Sequence, residues 1–346
     1  MTLIRRLSLT LGLLAALTCL LSACGRSAEP AAAAGSAQAA PAHELPKIKF
    51  QLDWYPAPEH GGFYEASVEG YYRAQGIDVN VLSGGPGAYT VQNVAMGNSE
   101  FAMGGAADVI RAIKEGLPLL IVGVYMQHDP QGIMVHAEGN IHTFKDLDKK
   151  SVMFVPGANW AAYLQAHYGI TINCVPVDYG LARFMSDKEA IQQCFISNEP
   201  YHVQLQGHKT REMLIADGGY DPYRVVFTKK AYARAHPEVV RAFVAGSIRG
   251  WNDFLFGDST RARAAIQSDN PSQVTPLIDY SIAAMKRYNI ITGDPAKGER
   301  TGMMKASRLK SLMDILVELK SLDTPLPMAQ IADFQFLPAE ENGINQ

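Results

Sequence analysis

The chain has 346 residues, 47% of them hydrophobic and 19% charged, with a formal net charge of −3 at pH 7. This is the composition of a soluble globular protein, and its slightly acidic balance gives no electrostatic footprint for nucleic acid. Four cysteines without a CxxC pair, and histidines without metal-ligand spacing, argue against a zinc site.

In chain order, the first element is MTLIRRLSLTLGLLAALTCLLSAC: Arg5 and Arg6, an apolar run from Leu9 to Leu21, then small residues. That three-part layout is a secretory signal, too short to span a bilayer comfortably. Leu21-Ser22-Ala23-Cys24 resembles the lipoprotein signal, so residues 1–23 are expected to be removed and Cys24 to carry lipid. Residues 24–46, rich in Ala, Gly, Ser and Pro, read as a flexible tether. The product would be an exported protein anchored at a membrane face, periplasmic or extracytoplasmic. With Cys19 in the signal and Cys24 lipidated, Cys174 and Cys194 remain, either joined or as buried thiols.

From Lys47 onward strands and helices alternate. KIKFQLDW has Ile48, Phe50 and Leu52 at period two and predicts a strand; GFYEASVEGYYRAQG predicts a helix closed by Gly76. IDVNVLS predicts a strand, GGPG a turn, Tyr89 to about Met96 a helix, FAMGG a short strand, AADVIRAIKEG a helix and LPLLIVGVYM a buried strand. After HDPQG a second set follows: GIMVHA, helical TFKDLDK, SVMFVPG, a helix from Asn159, ITINCVPV, a helix from Tyr179, CFIS, a helix after Pro200, and REMLIA. YRVVFTKK resumes the first set. In the helical tail, Val240, Phe243, Val244, Ile248, Trp251 and Leu255 form one apolar face, which places Trp251 in the core.

The alternation predicts an α/β fold built from mainly parallel sheets. Its interruption and resumption predict two lobes, 47–128 with 225–346 and 129–224, with crossings near 126–132 and 222–228. Ligands of open α/β sheets bind beyond the carboxyl ends of the strands. Loops at those ends nominate Asp53, Trp54, His60 and Tyr64, then Gly84, Gly85 and Gly105, then His128 in the linker. The second set nominates Asn159, Trp160, Tyr179, Asn198, Glu199 and Tyr201. Aromatics, amides and carboxylates without Arg or Lys predict a site for a flat, neutral or weakly basic ring. The glycines read first as tight turns that need positive φ, and His60 is equally explained by helix-start packing. GxGxxG, a P-loop lysine and a GxSxG elbow are absent, so the sequence calls for no cofactor and no catalytic residue.

LDWYPAPEHGGFYEASVEGYYRAQGIDVNV, then GGPG, then GNSEFAMGGAADVIRAIKEGLPL, and later ISNEPY resemble the solute-binding proteins of ABC importers in the thiamine-pyrimidine family, relatives of alkanesulfonate, taurine and nitrate binders. The resemblance, over about Lys47 to Trp251, implies the bilobal periplasmic-binding-protein fold (type II), hinge closure on a small-molecule ligand, and delivery to membrane permease subunits by a monomer. It implies a thiamine pyrimidine precursor as the cargo, with Trp54 stacking on the ring, Glu199 accepting from its amino group, and Asp53, His60 and Tyr64 on the same wall. The rival readings are an enzyme of pyrimidine synthesis or a binder of a sulfonate or another organic solute. The family's enzymatic branch carries a lysine where this chain has Ala106, which argues against synthesis.

Overall fold

The computed structural model describes residues 44–339. The signal segment 1–23, Cys24 and the tether up to residue 43 lie outside the described residues.

Two five-stranded sheets organise the fold. The first contains β1 (Lys47–Gln51), β2 (Asp78–Leu82), β3 (Phe101–Gly105), β4 (Leu119–Met126) and β10 (Arg224–Lys229), in the order β2-β1-β3-β10-β4. The second contains β5 (Gln131–His136), β6 (Ser151–Phe154), β7 (Asn173–Pro176), β8 (Ile191–Phe195) and β9 (Thr210–Leu214), in the order β7-β6-β8-β5-β9. The chain passes from β4 to β5 through residues 127–130 and returns to β10 after the turn Ile215–Gly218.

Both sheets are mixed rather than mainly parallel. β1 pairs parallel with β2 and β3, but β10 runs antiparallel to β3 and β4. β6 pairs parallel with β7 and β8, while β5 runs antiparallel to β8 and β9. The exceptions are the two strands that follow a crossing between sheets. Each enters its new sheet from the edge where the parallel strands end, so it must run the opposite way. Arg224 already begins β10, within the segment 222–228 that the sequence reads as a crossing.

The predicted helix 62–76 is two pieces, Gly61–Val68 and Tyr71–Ala74, parted at Gly70, whose φ of 73° is left-handed. The segment from Tyr179 becomes helical only at Ala182–Ser186, leaving Tyr179 on a loop at a φ of 62°. The long helix is Pro237–Phe256, with Pro237 at its first turn, where a missing N–H costs nothing.

Its apolar face builds the core of the first lobe. The ring of Phe243 stacks on Phe101 at 4.4 Å and packs at 5.0 Å on Phe50, while Trp251 meets Phe63 edge-on at 5.8 Å. Trp251 is buried, as its place on the stripe predicts. This helix crosses Gly61–Val68 at very close range. A Cβ on Gly250 would lie 2.1 Å from the Gly62 carbonyl oxygen, and one on Gly62 would lie 2.2 Å from the Trp251 ring. The glycines of His-Gly-Gly thus serve a helix crossing, and that crossing fixes His60 immediately before it.

Candidate functional site

A cavity of about 430 Å³ lies where the loops at the carboxyl edges of the two sheets meet. This is within the range of small-molecule sites. The first lobe contributes the end of β1. Asp53 and Trp54 follow the strand directly, and Pro56 and Pro58 carry the chain into the short helix Pro58–His60. Gly84, in the turn after β2, donates its N–H to the Trp54 carbonyl at 3.0 Å. A Cβ there would stand 2.3 Å from the Leu52 carbonyl, so only glycine lets this turn brace Trp54. Trp54, half-buried, meets Tyr179 of the second lobe at 5.1 Å between ring centroids, with planes at 47°. The two aromatic rings bridge the lobes at the mouth of the cavity. A second depression of about 450 Å³ adjoins it and shares Asp53, Trp54 and Tyr179.

The charges at the floor are matched. Arg224 donates to an Asp53 carboxylate oxygen and to Tyr125 Oη at 2.9 Å, with Asp129 at 3.7 Å. Burial alone would raise the Asp53 carboxyl, yet Arg224 and His60 outweigh it and hold it at about 2. Asp129 goes the other way, since burial outweighs the arginine and raises it. His60 Nε2 lies 3.4 Å from Asp53, while its Nδ1 is buried without a partner among the described residues.

Two further carboxyls line the walls. Glu199 opens the helix Glu199–Leu205, accepts from the Phe195 N–H at 2.8 Å, and is pushed up to about 7 by burial, with the Glu59 charge adding to the effect. Glu59 is buried too, which raises its carboxyl, and it accepts from the Ser197 hydroxyl across the cleft. Gln192, whose amide donates to the Gly180 carbonyl at 3.1 Å, leaves its own oxygen without a partner among the described residues. The cavity is therefore rich in acceptors, and its one arginine is already bonded.

Of the nominated residues, Asp53, Trp54, His60, Tyr179, Asn198 and Glu199 line the cavity, and Gly85 lines the adjoining depression. The structure places the others elsewhere. Tyr64 points behind the site and donates to Asp269 at 2.7 Å. Trp160 is core, packed on Phe154 at 4.9 Å, and Asn159 begins the same helix, Asn159–Tyr168. Tyr201 packs on Tyr280 at 5.5 Å, and Gly105 precedes the helix Ala106–Lys114. His128 sits in the crossing between β4 and β5, 2.6 Å from Asp221 and 3.6 Å from Glu299, two carboxylates that Arg308 also binds. It is held by a structural ionic cluster between the crossings, with no face toward the cavity.

Sequence reasoning missed Arg224, Glu59, Gln192 and Gln193. It looked for site residues after strands. β10 runs antiparallel, so the start of that strand, opposite Gly105 and Met126, lies at the ligand edge. The buried arginine corrects the expectation of a site without Arg. Cys174 and Cys194 are both free thiols, one exposed and one buried. Among the described residues no cluster of His, Cys, Asp or Glu could hold a metal, and no helix is long and apolar enough to cross a membrane.

A riboflavin-binding protein, RibY, of Chloroflexus aurantiacus is 28% identical over 267 residues, covering 71% of this chain and 74% of that protein. The formylaminopyrimidine-binding protein of Halalkalibacterium halodurans is 24% identical over 249 residues, covering 68% and 74%. The alkanesulfonate-binding protein SsuA of Xanthomonas axonopodis pv. citri, solved with MOPS bound, superposes with a TM-score of 0.60 at 14% identity, over 84% of this chain and 99% of that one. At that identity the likeness is one of fold, the two-lobed fold of periplasmic binding proteins. The model of the family described as NMT1/THI5 like matches residues 57–256, and the chain belongs to that family.

Proposed function

We propose that this protein is the solute-binding component of an ABC importer and captures a small nitrogen heterocycle, with a thiamine pyrimidine precursor as the preferred cargo. The observation that carries the reading is the make-up of the cavity: Trp54 and Tyr179 at its mouth, and the carboxyls of Glu59 and Glu199 in its walls. Such a site holds a flat ring by stacking and orients it through its N–H groups. The two relatives named for their ligands support this, because riboflavin and formylaminopyrimidine both contain a pyrimidine ring. A flavin is the second reading, favoured by the adjoining depression, into which a side chain on the ring would extend.

Sulfonates fit the charge pattern poorly. An anion needs a free Arg or several N–H donors, and Arg224 is committed to Asp53. The synthase reading also lacks support: the cavity lining includes no lysine, so there is no amine for a Schiff base with pyridoxal phosphate. The binding role calls for a hinge between lobes. Closure is favourable because only the closed state contacts the ligand from both sides.

Export and lipid attachment at Cys24 belong to the same proposal and rest on the signal-like N-terminus. Palmitate labelling of wild type and Cys24→Ser tests them; equal labelling of the two would exclude that anchor. The ligand is tested by thermal shift with 4-amino-5-hydroxymethyl-2-methylpyrimidine, formylaminopyrimidine, riboflavin and MOPS. A ligand at 100 times its dissociation constant stabilises by about 2.7 kcal/mol. A shift with MOPS and none with the heterocycles would overturn the reading.

A further inference from the structure

We infer that Gln273, on the loop between the two helices that follow Phe256, is a cargo-reading residue whose side-chain amide donates to an acceptor of the bound ring, so that capture selects a heterocycle presenting a ring nitrogen or carbonyl oxygen as well as N–H donors. This rests on the proposed function and adds to it a donor in a site otherwise rich in acceptors.

The loop lies beyond residues 57–256, which the family model matches. The helices Thr260–Asp269 and Thr275–Arg287 flank it, and side chains on both sides anchor it. Tyr64 donates to Asp269 at 2.7 Å, and the Asn270 amide donates to the Pro56 carbonyl at 2.8 Å, which ties the loop to the segment that carries Trp54. On the second-lobe side, Tyr280 donates to the Ile196 carbonyl at 3.2 Å and Ser281 to the Ser197 carbonyl at 2.7 Å, just beyond β8. Within the loop, the Asn270 side-chain oxygen accepts from the Ser272 hydroxyl at 2.7 Å, and the Asn270 carbonyl accepts from the Gln273 N–H at 3.0 Å, closing a turn. The backbone that carries Gln273 is therefore fixed against both lobes.

Its side chain is the one left without a bond. Gln273 is 8% exposed although Ser272 and Val274 on either side of it are exposed, so it turns inward, and it lines the cavity. The amide oxygen is buried, and neither end of the amide has a hydrogen-bond partner among the described residues. Turned the other way, the amide would bury two N–H donors where it now buries one oxygen, and orphaned buried N–H groups are the rarer case. The nitrogen is thus the end left for the cavity. A position that needed only packing would be filled at lower cost by Met or Leu, of similar size. A glutamine kept there without a partner is costly to the unliganded fold, and an acceptor on the ligand removes that cost. Arg224 is committed to Asp53, so the donor that Gln273 offers is uncharged, which suits a neutral acceptor better than a sulfonate.

The experiment is calorimetric titration of wild type, Gln273→Met and Gln273→Ala with 4-amino-5-hydroxymethyl-2-methylpyrimidine, formylaminopyrimidine and riboflavin, alongside urea unfolding of the three unliganded proteins. Gln273→Met keeps the length of the side chain and loses its donors. It is expected to bind the compound that wild type captures about five- to tenfold more weakly, the loss of one neutral hydrogen bond. Its unliganded midpoint should stay in place or rise, because the fold loses no hydrogen bond. Weaker binding without a weaker fold is a pairing that a merely structural glutamine does not produce. Gln273→Ala should bind no more tightly than Gln273→Met, and it decides the matter if Gln273→Met does not fold. Equal affinity of wild type and Gln273→Met, as for an amide satisfied by water alone, would overturn the inference while leaving the proposed function standing. So would a loss of affinity that comes with a lowered unliganded midpoint. Wild type binding none of the three compounds would remove both.

Discussion

Replacing Arg224 with Met tests the electrostatic floor of the cavity. Arg224 bonds Asp53 and lies 3.7 Å from Asp129, and all three are largely out of water. In the folded protein Asp53 is lowered from its ordinary 3.8 to about 2. At 1.36 kcal/mol per pH unit, that difference is worth roughly 2.4 kcal/mol. The sign follows from the depressed value: the stabilisation is fully present above about pH 4 and is lost as pH falls toward 2. Without the guanidinium, burial dominates and Asp53 rises above its ordinary value, so folding is disfavoured more as pH increases. Asp129, already raised by burial, follows it. Removing one partner of a buried ion pair costs about 3–5 kcal/mol, consistent with losing the Asp53 contribution and stranding a second carboxylate. Urea unfolding of wild type, Arg224→Met and Arg224→Met/Asp53→Asn at pH 4 and pH 7 reads this out through the midpoint at constant slope. The single variant should lose several kcal/mol at pH 7 and clearly less at pH 4, and the double variant should recover part of the loss. A loss below about 1 kcal/mol, or an equal loss at both pH values, would refute a floor held by this ion pair.

Four further outcomes are expected. Trp54→Ala should weaken heterocycle binding by about 1–3 kcal/mol in calorimetry through lost aromatic contact area; unchanged affinity would remove stacking from the account. Glu199→Gln should stabilise the unliganded protein at pH 8 by up to roughly 3 kcal/mol and have little effect at pH 4, because a carboxyl raised from 4.5 to about 7 stabilises below 4.5 and loses that contribution as pH rises through 7. Thermal melts of the two proteins at both pH values check this. Gly250→Ala should lower the melting temperature by several degrees, since its Cβ would meet the Gly62 carbonyl oxygen at 2.1 Å and the backbone on both sides leaves no room. Maleimide labelling with peptide mapping should modify exposed Cys174 and spare Cys194, whose thiol burial pushes well above its ordinary value; labelling of Cys194 in the native protein would contradict its burial.

Much of this protein is determined locally. The period-two apolar residues Ile48, Phe50 and Leu52 make a buried strand wherever it pairs, and the stripe containing Phe243 and Trp251 has to face a core. Gly76 and Gly116 end helices because left-handed backbone favours a residue without a Cβ. The placement of Asp53 and Trp54 just beyond a strand, on a turn-rich aromatic loop, was likewise legible, and both line the cavity.

The tertiary structure decided what depends on direction and on partners distant in sequence. A strand pattern does not state its direction. The reversed strand β10 puts Arg224, a residue that begins a strand, among residues that end them, and so supplies the counter-charge that holds Asp53 ionised. His128 and Trp160 occupy loops and a helix start of the expected kind, but one is bound to Asp221 in the crossing and the other packs on Phe154. Whether a polar or aromatic side chain meets a ligand or a neighbour depends on which surfaces the two lobes bring together, and the contact between Glu59 and Ser197, 138 positions apart in sequence, exists only through that meeting.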